Sequence, residues 1–304
     1  MNDIRVGLFP AALASEQTTS TIKQIANAGV DHLCVGDHVS FFVGAGSDGL
    51  ITASALLASQ TDLPVYVALY LLPLRHPILV ARQLATIAEF APGRLTLGVG
   101  IGGEDPHEIE ICGVDPKTRG RRMNECLRIV RDMATGTASD FAGEFFALED
   151  ALIVPEQKPP IPLIVGGRSD PAVKRAATHG DGWLGIWVSP RRYAAVRDEI
   201  TVAAERAERD PSRFEHALNV WCGFAATHEA ARTQIATAMQ NFYQMPFEPF
   251  ERYSPYGTTD DVAEFLSPYI ESGCSTFNII PCAANTDEAI AAIGELRTLL
   301  THLS

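Results

Sequence analysis

Arg94-Leu95-Thr96-Leu97-Gly98-Val99-Gly100-Ile101-Gly102-Gly103 is the stretch that decides the fold of this chain. The turn Ala91-Pro92-Gly93 opens it, uncharged small and branched residues carry it, and the acidic loop Glu104-Asp105 follows. A short apolar run between turn signals reads as a buried parallel strand. Glycines at its end mean that something approaches the backbone closely there. In parallel α/β folds, ligands sit at the carboxyl ends of strands. Gly100, Ile101 and Gly102 therefore read as one wall of a cofactor site. Glycines that only relieve crowding inside a tight barrel would produce the same pattern, and the pattern alone does not separate the two readings.

Working outward, strand and helix patterns alternate along the whole chain. Strands are expected over residues 5–9, 31–36, 65–70, 94–99, 161–165, 182–186, 217–225 and 275–280. Helical periodicity covers 19–28, 52–60, 118–134, 191–208, 229–243, 260–271 and 288–300. Two more helices start at Pro77 and Pro171, in the favoured first-turn position. Residues 41–47 read as a loop, and 141–154 as a small hairpin outside the alternation. Eight strands with helical crossovers are the count of an α/β (β/α)8 TIM barrel, here with loop insertions at its C-terminal mouth. An open doubly wound sheet would carry a phosphate fingerprint after its first strand, and Gly7-Leu8-Phe9-Pro10 lacks it.

The 304 residues suit one such barrel, a fold of about 250 residues before insertions, so residues 1–304 are read as a single domain. A net charge of −13 argues against nucleic acid or an anionic membrane as partner. No signal peptide and no membrane-spanning run are apparent, and a cytoplasmic protein is expected. The six cysteines show no CxxC spacing and read as reduced core residues. Asp105-Pro106-His107-Glu108 has metal-binding residue types but no companion cluster, and reads as a solvated loop. Arg119-Gly120-Arg121-Arg122 reads as a surface or subunit-contact face.

Several strand ends carry chemistry. Asp37-His38 follows the second strand; a carboxylate beside an imidazole holds a ligand and exchanges a proton near neutral pH, or else caps a loop. The third strand exits through Leu69-Tyr70-Leu71-Leu72-Pro73-Leu74-Arg75-His76, with Arg75 and His76 polar at the mouth. Gly166-Gly167-Arg168-Ser169 leads from the fifth strand into a helix N-terminus, where free N–H groups, the dipole and an arginine suit an anion. Trp183 and Trp187 follow, placed either to stack on a planar ring or to fill the core.

In order along the chain, these motifs resemble the bacterial luciferase-like monooxygenase superfamily. The resemblance rests on Gly93 to Gly100 with Gly113-Val114-Asp115-Pro116 and Arg119 to Arg122. It rests also on Val165 to Ser169 with His179-Gly180-Asp181-Gly182-Trp183, and on Tyr256-Gly257-Thr258 with Asp261. It implies a flavin-type ring at the barrel mouth, its phosphate near Gly166, Gly167, Arg168 and Ser169, and a non-proline cis peptide at Leu69-Tyr70. Leu69, Tyr70 and Leu72 would then lie against the ring. Asp37-His38 looks like the deazaflavin (F420) branch: Asp37 would touch the coenzyme and His38 would handle the substrate proton during hydride transfer. The family's mouth glutamate best matches Glu104, displaced by the extra Gly103. FMN, with a monooxygenase reaction, is the alternative cofactor. A small, apolar or planar substrate and a homodimer are the expected partners.

Overall fold

A computed structural model describes residues 3–10, 18–59 and 62–303. In chain order the first elements are β1 (Arg5–Leu8), α1 (Thr18–Asn27), β2 (His32–Val35), β3 (His38–Phe41), β4 (Ala45–Ser47), α2 (Gly49–Ala58) and β5 (Val65–Tyr70). A 3-10 turn (Leu72–Leu74) leads to α3 (Pro77–Phe90), β6 (Leu95–Val99), α4 (Pro106–Ile111), α5 (Arg119–Met133), β7 (Ser139–Ala142), β8 (Ala147–Ala151), β9 (Leu163–Gly166) and α6 (Asp170–His179). Then come β10 (Gly182–Ile186), α7 (Pro190–Arg206), β11 (Glu215–Phe224), α8 (His228–Tyr243), α9 (Glu248–Glu251), β12 (Tyr256–Gly257), α10 (Thr259–Glu271), β13 (Thr276–Cys282) and α11 (Thr286–His302).

Local chemistry sets these boundaries. Pro77 and Pro190 occupy first-turn positions, behind His76 and Ser189 as N-caps. Asp48 caps α2 by accepting from the N–H groups of Leu50 and Ile51. Thr258 and Asp261 close a reciprocal capping box on α10. The expected loop at 41–47 is instead a hairpin of β3 and β4. Gly46 makes it possible, because a Cβ there would lie 2.2 Å from the His38 carbonyl oxygen. Residue 60, the last of the helix expected over 52–60, lies outside the described residues.

The chain divides into two compact units. In unit 1, β2, β1, β13, β11 and β10 form a parallel run, with β12 added to the end of β11. Trp183 is fully buried against Tyr193 in its core, so this tryptophan fills space and does not face a ligand. An aromatic cluster joins these elements, with Tyr243 at the end of α8 meeting Trp187, Trp221 and Phe250. In unit 2, β5, β6 and β9 run parallel, and the β7–β8 hairpin is tied to α5 through Glu125, which accepts from the N–H groups of Glu144, Phe145 and Phe146. In the described residues the eight parallel strands β1, β2, β5, β6, β9, β10, β11 and β13, with their helical crossovers, make a (β/α)8 barrel. All six cysteines are free, and no helix among the described residues is long and apolar enough to cross a membrane.

Unit 1 also holds one buried and one partly buried histidine, His32 and His216. His32 meets the Asn278 side-chain oxygen at 2.7 Å, and Gly7 leaves the space its ring occupies. Burial lowers both His32 and His216 from 6.5 to about 4. A histidine whose folded pKa is depressed costs stability as pH falls from the unfolded value to the folded one, because only the unfolded chain takes up the proton. Urea unfolding should therefore show stability intact near pH 7 and falling between pH 6.5 and 4, by about 3 kcal/mol per histidine at the lower end. His216→Gln should make that fall shallower; an unchanged slope would remove His216 from the account.

Candidate active site

The residues singled out at strand ends lie in unit 2, at the carboxyl ends of β5, β6 and β9 and in the segment after β2. The central element is a buried ion pair. Asp37 is 2% exposed, and its carboxylate accepts four hydrogen bonds. Two come from the Gly49 and Leu71 backbone N–H groups, at 2.9 and 2.7 Å. Two come from the Arg75 guanidinium, both at 2.7 Å. Arg75 also reaches the α2 cap Asp48 at 3.3 Å and lies over the Tyr70 ring, 4.5 Å from its centroid. Burial pushes the Asp37 carboxyl above its usual range, against the pull of Arg75 and the two N–H donors. Asp37 thus joins the exit of β5 to the start of α2. Its oxygens accept from these protein donors, which fixes the shape of the site around it.

His38 opens β3 and stays partly exposed. Its Nδ1 lies 3.1 and 3.2 Å from the two carboxylate oxygens of Glu108, and its ring packs 4.1 Å from that of Phe41. Glu108 is 2% exposed. One of its oxygens also accepts from the N–H groups of Val39 and Ser40, at 2.7 and 3.1 Å. Burial lifts this carboxyl, and the hydrogen bonds from His38, Ser40 and Val39 outweigh it and leave it below the usual carboxylate range. Its neighbour Asp105 caps α4 through the His107 N–H and holds the hairpin turn through the Phe42 N–H. The 105–108 segment is therefore a helix start with two committed carboxylates, not a solvated loop. Glu104, the glutamate expected in the site, is exposed.

The glycines acquire a specific partner. A Cβ at Gly98, Gly100 or Gly166 would lie 3.0, 2.9 or 2.3 Å from a methyl carbon of Leu69. The Leu69 side chain, only partly exposed, is seated against all three, and at Gly98 the Val67 carbonyl oxygen comes closer still, at 2.6 Å. The crowding explanation holds for these three. Gly102 and Gly103 differ, since φ values of +67° and +156° favour glycine there. Gly102 lies near Leu71 and Ile109, and Gly103 near the Arg119 guanidinium. The cis peptide is Ala68–Leu69, one bond before the expected Leu69–Tyr70, within a register shift between β5 and β6. The Gly100 N–H donates to the Tyr70 carbonyl at 2.9 Å, and Leu72 is fully buried at the start of the 3-10 turn.

Gly166, Gly167, Arg168 and Ser169 run directly into α6. Ser169 is the N-cap, but its hydroxyl makes no capping hydrogen bond to the first turn. A hydroxyl, a guanidinium and the amides of a helix start form a donor set that suits a phosphate. The structure thus brings together Asp37, Leu69, Tyr70, Leu72, Gly100, Gly102 and Gly166, with Gly167, Arg168 and Ser169 continuing from the last. It assigns Ile101 and Glu104 no contact in this cluster. It adds Glu108 and Arg75. The signal for Glu108 was present: Asp105-Pro106 is an N-cap followed by a first-turn proline, which puts Glu108 at the third helical position.

Comparison with known proteins bears on the family and the fold. The model of the luciferase-like monooxygenase family matches residues 9–268. An uncharacterized protein of Mycobacterium tuberculosis (strain ATCC 25618 / H37Rv) is 39% identical over 134 residues, 44% of this chain and 46% of its own length. An F420-dependent glucose-6-phosphate dehydrogenase of Amycolatopsis mediterranei is 28% identical over 163 residues, 51% of this chain and 48% of its own. The chain thus spans about half the length of the curated relatives it matches. Among solved structures, an F420-dependent secondary alcohol dehydrogenase in complex with an F420-acetone adduct superposes with a TM-score of 0.85 at 18% identity, over 98% of this chain and 99% of that one. With its family model covering most of the sequence and its barrel shared, the chain belongs to the luciferase-like monooxygenase family.

Proposed function

We propose that this protein is an F420-dependent oxidoreductase that acts on a small organic substrate. The observation that carries the reading is the convergence of a partly exposed imidazole held by a buried carboxylate, His38–Glu108, with an apolar platform, Leu69, at neighbouring strand ends. The F420-dependent relative supports the choice of coenzyme.

Bound deazaflavin would supply hydride chemistry, which the side chains of this protein lack. Leu69, pressed into its three glycines, presents its remaining face as a support for a planar ring. Gly166, Gly167, Arg168 and Ser169 would hold the phosphate. The Asp37–Arg75 pair fixes the 69–75 segment against α2. His38 takes the proton of a substrate hydroxyl, or returns it in the reverse direction, while the hairpin side chains Phe41 and Phe42 limit water at the ring. The family description favours one other reading, an FMN-dependent monooxygenase on the same barrel.

Fluorescence titration of the apo-protein with F420 and with FMN separates the two. Tighter F420 binding is expected, and tighter FMN binding would reverse the assignment. His38→Ala should lower turnover by about 10²-fold or more, with cofactor affinity kept; unchanged turnover would end the proton role.

A further inference from the structure

We propose that Glu108 is a positioning residue that sets the tautomer of His38, keeping the proton on Nδ1 and the lone pair on Nε2. The geometry leaves little choice. Both Glu108 oxygens lie within 3.2 Å of Nδ1, and an ionised carboxylate only accepts hydrogen bonds. Nδ1 must therefore be the donor, and the neutral ring carries its basic lone pair on the other nitrogen. Glu108 cannot turn away, because one oxygen is held by the N–H groups of Val39 and Ser40, which flank the imidazole on its own strand. Helix α4 supplies the carboxylate and strand β3 supplies both the imidazole and the clamp, so ring and acceptor are held in one frame. Other charged or titratable groups at this corner are Asp37, Arg75, Asp48, Asp105 and Cys112; Asp37 and Arg75 neutralise each other in the buried pair, Asp48 also meets Arg75, Asp105 is held by the Phe42 and His107 N–H groups, and burial pushes the Cys112 thiol up.

Glu108→Gln turns this logic round. The amide oxygen must stay with the Val39 and Ser40 donors, so the amide N–H₂ faces Nδ1. Nδ1 then becomes an acceptor, and the ring proton moves to Nε2. A ring in that form cannot take a proton at Nε2. Glu108→Ala removes the acceptor without imposing a donor. A glutamate needed only for structure predicts that Gln is tolerated and Ala is not. The tautomer role predicts that Gln is at least as damaging to turnover as Ala.

The test reads the ring directly. In apo-protein labelled with ¹⁵N-histidine at pH 8, the His38 resonances, identified by their loss in His38→Asn, should show the proton on Nδ1. In Glu108→Gln they should show it on Nε2. A wild-type proton on Nε2, or a variant with the wild-type pattern, would overturn the proposal, and the wild-type spectrum alone decides even if the variant does not fold. The effect on turnover rests on the proposed proton role of His38: Glu108→Gln should lower kcat about 10²-fold with KM little changed, and the acid limb of the pH–rate profile should disappear. A wild type that binds no F420 would overturn the functional reading and leave the spectra to judge the tautomer.

Discussion

Arg75→Met should destabilise the protein by about 3–5 kcal/mol, the cost of leaving a buried carboxylate without its counter-ion. Asp37 has no access to water through which to recover the loss: its side chain is 0% exposed, and its other partners are two backbone N–H groups. Methionine keeps much of the arginine stem, so the charge and the forked hydrogen bonds are what the variant removes. The pH dependence identifies the cause. Burial already raises the Asp37 carboxyl with Arg75 present, and without the guanidinium it rises further. A carboxyl whose folded pKa exceeds its unfolded value costs nothing below the unfolded pKa and its full amount above the folded pKa. The deficit relative to wild type should therefore shrink as pH is lowered from 7.5 toward 4. Adding Asp37→Asn should recover part of it at pH 7.5. A deficit below about 1 kcal/mol, or one that does not change with pH, would show that Arg75 contributes no more than a surface charge.

The second large effect lies in the glycine cradle, and it separates two positions that look alike in sequence. Gly98→Ala should cost about 3 kcal/mol, at the top of the overpacking range, because its Cβ would lie 2.6 Å from the Val67 carbonyl oxygen, a backbone atom in the adjoining strand. Gly166→Ala meets only side-chain atoms, the Leu69 methyls at 2.3 and 2.9 Å. Combining Leu69→Ala with Gly166→Ala should therefore restore most of the loss that Gly166→Ala causes. The same combination should do little for Gly98→Ala. Chemical denaturation of the two single and two double variants checks this. No rescue of Gly166→Ala would mean that Leu69 is not what the cradle accommodates, and rescue of Gly98→Ala would remove the Val67 carbonyl from the account.

The barrel was legible because its signals are local. Pro77, Gly29 and the run Val65 to Tyr70 each mark an element through backbone chemistry that no distant contact overrides. The hairpin at 38–47 was not, because β4 is an exposed Ala45–Ser47 strand with no hydrophobic alternation to announce it. In the candidate site, sequence order pointed to these strand ends but not to what each side chain touches there. Asp37 read as a ligand contact, and its oxygens turned out to be spent on Gly49, Leu71 and Arg75, partners up to 38 positions away. The glycines announced a close approach without naming the visitor. Glu108 reaches His38 because the short helix α4 turns it toward the hairpin, a matter of phase that residue types alone do not carry; Glu104 lies before that helix.

The Leu69 seat has an evolutionary consequence. Gly100 and Gly166 have given up their side chains to one residue, so none of the three is at liberty to drift alone. A bulkier occupant has nowhere to grow, and a methyl on the neighbouring strand end becomes tolerable only after the occupant has shrunk. Descendants of this chain should cross between those states in one order only, and sequences caught midway should be scarce.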